Sequence, residues 1–186
     1  MGWRGLLIAG MLGMSISVAS VAAPPAPIET AALQPYRLGA GDEIRVTVFG
    51  LDALTNTYLV GDSGNISLPL LPTVAAGGKT VEELQDMIGA AIREKDLVRN
   101  PSVSVQVQKY RPFFILGEVQ NPGSYPYVPG MSVMTAVSIA GGYTFRAEKK
   151  RAQITRPVDN KVVKGGAVPQ TPVLPGDTVY IDEAWF

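Results

Sequence analysis

The chain has 186 residues, 46% of them hydrophobic, enough to bury a sizeable core as one domain or two small ones. Sixteen basic and sixteen acidic residues cancel, which removes any electrostatic reason to expect nucleic acid or an anionic membrane surface. With no histidine and no cysteine, the commonest general base, thiol nucleophiles, disulfides and His/Cys metal sites are excluded, and an enzyme would have only carboxylates, lysine, serine or tyrosine to work with.

The N-terminus predicts an export signal. MGWR carries one positive side chain, Leu6–Val18 forms an apolar run, and Ser20-Val21-Ala22 places small residues where a signal peptidase reads. Cleavage after Ala22 is expected, since cleavage after Ala23 would put Pro24 beside the scissile bond. An uncleaved membrane anchor is the rival reading, because the run is nearly long enough to span. Residues 1–22 are thus read as a signal peptide and 23–35, with its stiff APPAP, as a linker.

Residues 36–110 read as a first domain. Gly41-Asp42 turns into a strand in which Ile44, Val46 and Val48 alternate with polar positions. After the turn Asp62-Ser63-Gly64-Asn65, the alternation of Ile66, Leu68 and Leu70 predicts another strand. Thr80 and Glu83 have capping-box spacing, and Val81, Leu84, Ile88, Ala91 and Ile92 share one face of the helix that follows. Arg93 and Lys95 fall in its last turn, where positive charge suits the helix dipole. SVSVQVQ then predicts a half-buried strand, with Val103, Val105 and Val107 inward and serine or glutamine outward.

Residues 111–186 read as a second domain. FFILGEV is a strand, and Asn121-Pro122-Gly123 a turn in which Gly123 would supply the positive φ of type II. Ser124–Val128 is the expected return strand. Ser132 caps a short helix bearing Val133, Ala136, Val137 and Ala140, with Met131 placed to staple onto Ala136 and Gly141-Gly142 closing it. Strands follow near Ala152–Arg156 and Thr178–Asp182. The fold class is therefore α+β: two small sheet-plus-helix domains, the second β-grasp-like. Gly-Asp stands before a strand twice, at Gly41-Asp42 and Gly176-Asp177, which reads as a shared tight turn and not as catalysis.

YRLGAGDEIRVTVFG, the DSGNISLPLLPTV segment with its helix, and NPSVSVQV resemble the export domain of outer-membrane polysaccharide export proteins of the Wza type. ILGEVQNPGSYPYVPGMSVMTAVSIAGGY resembles the soluble-ligand-binding β-grasp (SLBB) module that follows it in that family. The resemblance covers nearly everything from Tyr36 to Ile181, with the blocks in family order. It implies a non-enzymatic, exported protein of the periplasm and outer membrane. Such a protein forms a homo-oligomeric ring or adaptor for a polysaccharide chain and works with an inner-membrane copolymerase. This sequence departs from the larger members: it has no lipidated cysteine, room for one β-grasp module, and no amphipathic helix before Trp185-Phe186. A separate outer-membrane component is therefore expected as a further partner.

Arg111, Tyr125, Tyr127, Tyr143 and Arg146 are the candidate glycan contacts, as aromatic stacking surfaces and cationic hydrogen-bond donors; the plain alternative for the tyrosines is cross-strand packing. Two other functional readings compete. One is a periplasmic module that binds a glycan or small ligand and conducts nothing. The other is a carboxylate glycan hydrolase, for which Glu118 and Asp177 are available without any sign of catalytic separation. Lys79-Thr80 after Gly77-Gly78 lacks the first glycine of a phosphate loop, since Thr73 occupies that position. No cofactor and no metal site are expected.

Overall fold

A computed structural model describes residues 35–158 and 161–185. The expected signal peptide, and all of the linker but residue 35, lie outside the described residues. In the first half, β1 (Glu43–Val48) and β2 (Asn56–Leu59) flank a 3-10 turn at Asp52–Leu54. Strands β3 (Asn65–Ile66) and β4 (Val74–Ala75), helix α1 (Val81–Glu94) and β5 (Val103–Lys109) follow. An antiparallel sheet runs β2-β1-β5, with Val46 opposite Asn56 on one side and Val105 on the other. Ile44, Val46 and Val48 face inward and share a core with Leu84, Ile88 and Ile92 of α1, each fully buried side chain contributing about 1.5–3 kcal/mol. Helix α1 begins with the expected reciprocal cap: Glu83 N–H donates to Thr80 Oγ1 (3.2 Å) and Thr80 N–H to Glu83 Oε2 (3.1 Å).

The strand expected through Ile66, Leu68 and Leu70 stops after Ile66. Pro69 and Pro72 remove backbone donors, and Leu70 turns to a φ of +63° and faces solvent. Ile66 and Leu68 remain in the core.

The second half contains β6 (Phe113–Gly117), β7 (Gly123–Tyr125), α2 (Val133–Ile139), β8 (Ala152–Val158), β9 (Lys161–Ala167) and β10 (Thr178–Ile181). Its sheet runs β7-β6-β10-β8-β9, with β10 parallel to β6 and the other pairs antiparallel. A hairpin, a covering helix and a late central strand make the β-grasp pattern. Val133, Ala136 and Val137 of α2 pack on Phe113, Ile115, Ile154, Val179 and Ile181. Met131 and Ala136 are both buried in that core, consistent with the staple. The helix closes through two bonds, Gly141 N–H to Ser138 O (3.1 Å) and Gly142 N–H to Val137 O (2.9 Å), with φ of +85° and +96°.

Three expectations for this half change. Positive φ falls at Gly117 (+84°), where β6 ends, and not at Gly123, which is already strand and sits opposite Ile115. The return strand ends at Tyr125 because Pro126 offers no donor. Strand β9 was not anticipated: KVVKGGA has two lysines, two glycines and four exposed leading positions, so it lacks alternation.

Candidate functional site

Each Gly-Asp turn folds in the same way. Asp42 Oδ2 accepts from Gly39 N–H (2.8 Å) while Asp42 N–H donates to Gly39 O (3.1 Å). Asp177 Oδ2 accepts from Leu174 N–H (2.7 Å) while Asp177 N–H donates to Leu174 O (3.1 Å). Both aspartates are fully buried, and each is met by an arginine from another segment. Arg156 reaches Asp177 through Nε (2.8 Å) and Nη2 (2.7 Å). Arg111 reaches Asp42 through its backbone N–H (2.8 Å to Oδ1) and through Nη1 (3.2 Å to Oδ2). Asp177 thus has both oxygens engaged and no surface to offer a substrate.

The five candidate glycan contacts divide between the two ends of β6. At its start, Arg111 is folded inward: Nε donates to Pro175 O (3.1 Å), Nη1 to the Tyr36 hydroxyl (3.2 Å), and the guanidinium lies 5.8 Å from the Tyr36 ring centre. Tyr127 belongs to the same cluster, since Tyr110 packs edge-on against both Tyr36 (5.1 Å) and Tyr127 (5.4 Å). The Tyr36 hydroxyl donates to Asp42 Oδ2 (2.5 Å). Burial, and then that bond, hold its proton far above the ordinary tyrosine range.

Beyond the other end of β6, the 118–121 loop and the 141–146 loop form a polar rim. Gln120 N–H bonds Gly142 O (3.0 Å), Asn121 N–H bonds Ala140 O (2.9 Å), and Gln120 Nε2 bonds Tyr143 O (3.1 Å). Thr144 Oγ1 donates to Glu118 Oε2 (2.5 Å). Tyr125 joins the rim through its hydroxyl, which donates to Asn121 O (2.7 Å), while its ring stacks on Phe113 at 6.0 Å. The Tyr143 ring packs half-buried on the core, and this burial raises its phenol pKa. Arg146 pairs with Glu183, and its Nε lies 2.7 Å from Glu183 Oε1. Tyr125, Tyr143 and Arg146 are therefore brought to one rim, and Arg111 and Tyr127 are not.

Sequence reasoning missed Tyr36, Tyr110 and Asp42 at the junction, and Glu118, Gln120, Asn121 and Thr144 at the rim. The sequence signals for the junction are the repeated Gly-Asp turn, which by itself reads as a local turn alone, and the adjacency of Tyr110 to Arg111. Among the described residues no cluster of acidic side chains is arranged to hold a metal ion, and no helix is long and apolar enough to cross a membrane.

The family profile "Polysaccharide biosynthesis/export protein" matches residues 30–108, and the SLBB domain profile matches residues 112–168. The chain belongs to the polysaccharide export protein family. It is 41% identical over 118 residues to the exopolysaccharide production protein ExoF of Rhizobium meliloti, covering 58% of this chain and 28% of that relative. It is 31% identical over 150 residues to the EPS I polysaccharide export outer membrane protein EpsA of Ralstonia nicotianae, covering 66% of this chain and 39% of the relative. EpsA of Ralstonia solanacearum is 30% identical over a stretch of the same length. The chain thus spans less than half the length of these curated relatives. The polysaccharide export family is not an enzyme class. Tyr110 and Arg111 fall in the interval between the two matched regions, so the junction cluster joins one family module to the other.

Proposed function

We propose that the protein is a component of a capsule or exopolysaccharide export system, exported to the periplasm and associated with the outer membrane. The observation that carries this reading is the succession of the two family modules, residues 30–108 and then 112–168, in a chain similar to proteins named for exopolysaccharide production and export. The chain acts as a homo-oligomeric ring or adaptor around the polysaccharide. Its partners are an inner-membrane copolymerase and a separate outer-membrane component.

Two surfaces support a conduit. On the outer face of the first sheet, Thr47 lies opposite Ser104 and Arg45 opposite Gln106, while Thr57 Oγ1 donates to Gln108 Oε1 (2.7 Å). Such a face gives a sliding glycan many weak hydrogen bonds and no deep trap. On the outer face of the second sheet, Phe114 and Leu116 of β6 stand beside Tyr180 of β10, all three exposed. This apolar face is the surface offered to a neighbouring copy. The rim bearing Tyr125, Tyr143 and Arg146 is the glycan-facing element, with Gln120 and Asn121 as further donors; Arg111 and Tyr127 act behind it at the junction.

Light scattering of residues 23–186 over a range of concentrations tests the reading: a discrete closed oligomer is expected. Loss of the protein should also stop surface polysaccharide without stopping sugar synthesis. A strict monomer with saturable glycan binding would instead favour a periplasmic glycan- or small-ligand-binding module, for which the polar rim is the supporting feature.

A further inference from the structure

The two halves have separate cores and separate sheets, and among the described residues no strand of one pairs with a strand of the other. Two side chains join them at 110–112: Tyr110, whose ring packs against both Tyr36 and Tyr127, and Arg111, which makes the polar contacts. Arg111 lies between the two Gly-Asp turns: it holds the Asp42 carboxylate and Tyr36 hydroxyl of the first turn region, and the Pro175 carbonyl of the second. Both turns are shaped around it. A Cβ at Gly39 would overlap Arg111 Nη1, and one at Gly176 would stand 2.7 Å from Nε. Gly176 N–H also bonds Pro112 O (3.1 Å), which fixes the second turn to the connecting chain.

We infer that Arg111 is a latch that sets the angle between the export module and the SLBB module, with residues 110–112 as the hinge it closes. A planar guanidinium with several fixed donors suits this task, because it satisfies an anionic and a neutral acceptor in different directions at once. A lysine has one point of charge and cannot span both. Asp42 is the anchor: its carboxylate is fully buried and prearranged by Gly39 and Tyr36, so displacing Arg111 leaves a buried charge short of its cationic partner. This inference stands apart from whether the chain conducts polysaccharide.

Hydrogen exchange and limited chymotrypsin cleavage on residues 23–186 test it, comparing wild type with Arg111→Ala, Arg111→Lys and Gly39→Ala. Gly39→Ala leaves Arg111 in the sequence and places a methyl where the guanidinium sits, at a backbone φ open to alanine. Opening of the latch predicts a tenfold or greater rise in cleavage after Tyr110. It also predicts faster exchange confined to Gly39, Arg111 and Gly176, with strands β1 and β6 still protected, in both Arg111→Ala and Gly39→Ala. Wild-type cleavage and exchange in both variants would overturn the inference. Loss of protection throughout both cores in Arg111→Lys and Gly39→Ala would overturn it too, making Arg111 an ordinary folding residue.

Discussion

Arg156 grips Asp177 with two bonds of 2.8 and 2.7 Å, one to each oxygen of a carboxylate with no exposed surface. The pair ties β8 to the turn that launches β10, and its geometry is the bidentate form in which arginine holds a carboxylate most firmly. Replacing Arg156 with methionine keeps the side-chain bulk but strands a buried charge. We expect a loss of about 3–5 kcal/mol in denaturant unfolding, confined to the second half. A loss below about 1 kcal/mol would show that water reaches Asp177 once Arg156 is gone.

The cap of α1 gives a smaller, local effect. Thr80→Ala removes the acceptor for Glu83 N–H and should cost about 1 kcal/mol. The midpoint of the first half should fall while the second half keeps its own, which probes at Tyr58 and Tyr125 would separate.

The exposed face of the second sheet predicts a variant with the opposite profile. Phe114→Ser with Tyr180→Ser changes side chains already 42% and 47% exposed, so monomer stability should fall by only about 1 kcal/mol per site, well short of the loss at Arg156. If this face meets a neighbouring copy, the light-scattering mass should drop to that of a single chain. An unchanged oligomer would move the contact elsewhere.

Alkaline pH should act through Tyr36. Its phenol titrates near 10 in the unfolded chain and much higher when folded, because burial and the bond to Asp42 both oppose ionisation. The folded state then binds more protons above pH ~10, so this stabilisation is fully present below pH ~10 and is lost as pH rises beyond it. Tyr36→Phe should be less stable at pH 8, lacking the donor to Asp42, and should show a shallower decline above pH 10. Tyr58, Tyr127 and Tyr143 are also raised by burial, so some alkaline slope remains. Parallel slopes for the two proteins would refute the assignment.

Local signals carried most of the fold. The period-two runs at Ile44–Val48 and Val103–Val107, the Thr80–Glu83 cap and the Gly141-Gly142 stop each depend on a few neighbouring residues, and each folds as expected. The misses have non-local causes. Leu70 continues an alternation that Pro69 and Pro72 interrupt, and β9 is a strand because β8 supplies its partner, not because KVVKGGA asks for one. The candidate site was half legible. Tyr125, Tyr143 and Arg146 reach one rim. Arg111 turns inward because Asp42, 69 residues earlier in the chain, lies buried beside it, a pairing that no spacing rule discloses.

Strand β10 lies between β6 and β8. The centre of the second sheet is therefore made from residues 178–181, late in the chain, whereas the first sheet has all its strands by Lys109. During synthesis, the first half can be complete while β6 and β8 still have an open gap between them. That interval exposes Phe113, Ile115 and Ile154 together. It is the stage at which a holding chaperone would matter most, and a chain interrupted before Thr178 would keep the first half intact and leave the second unable to close.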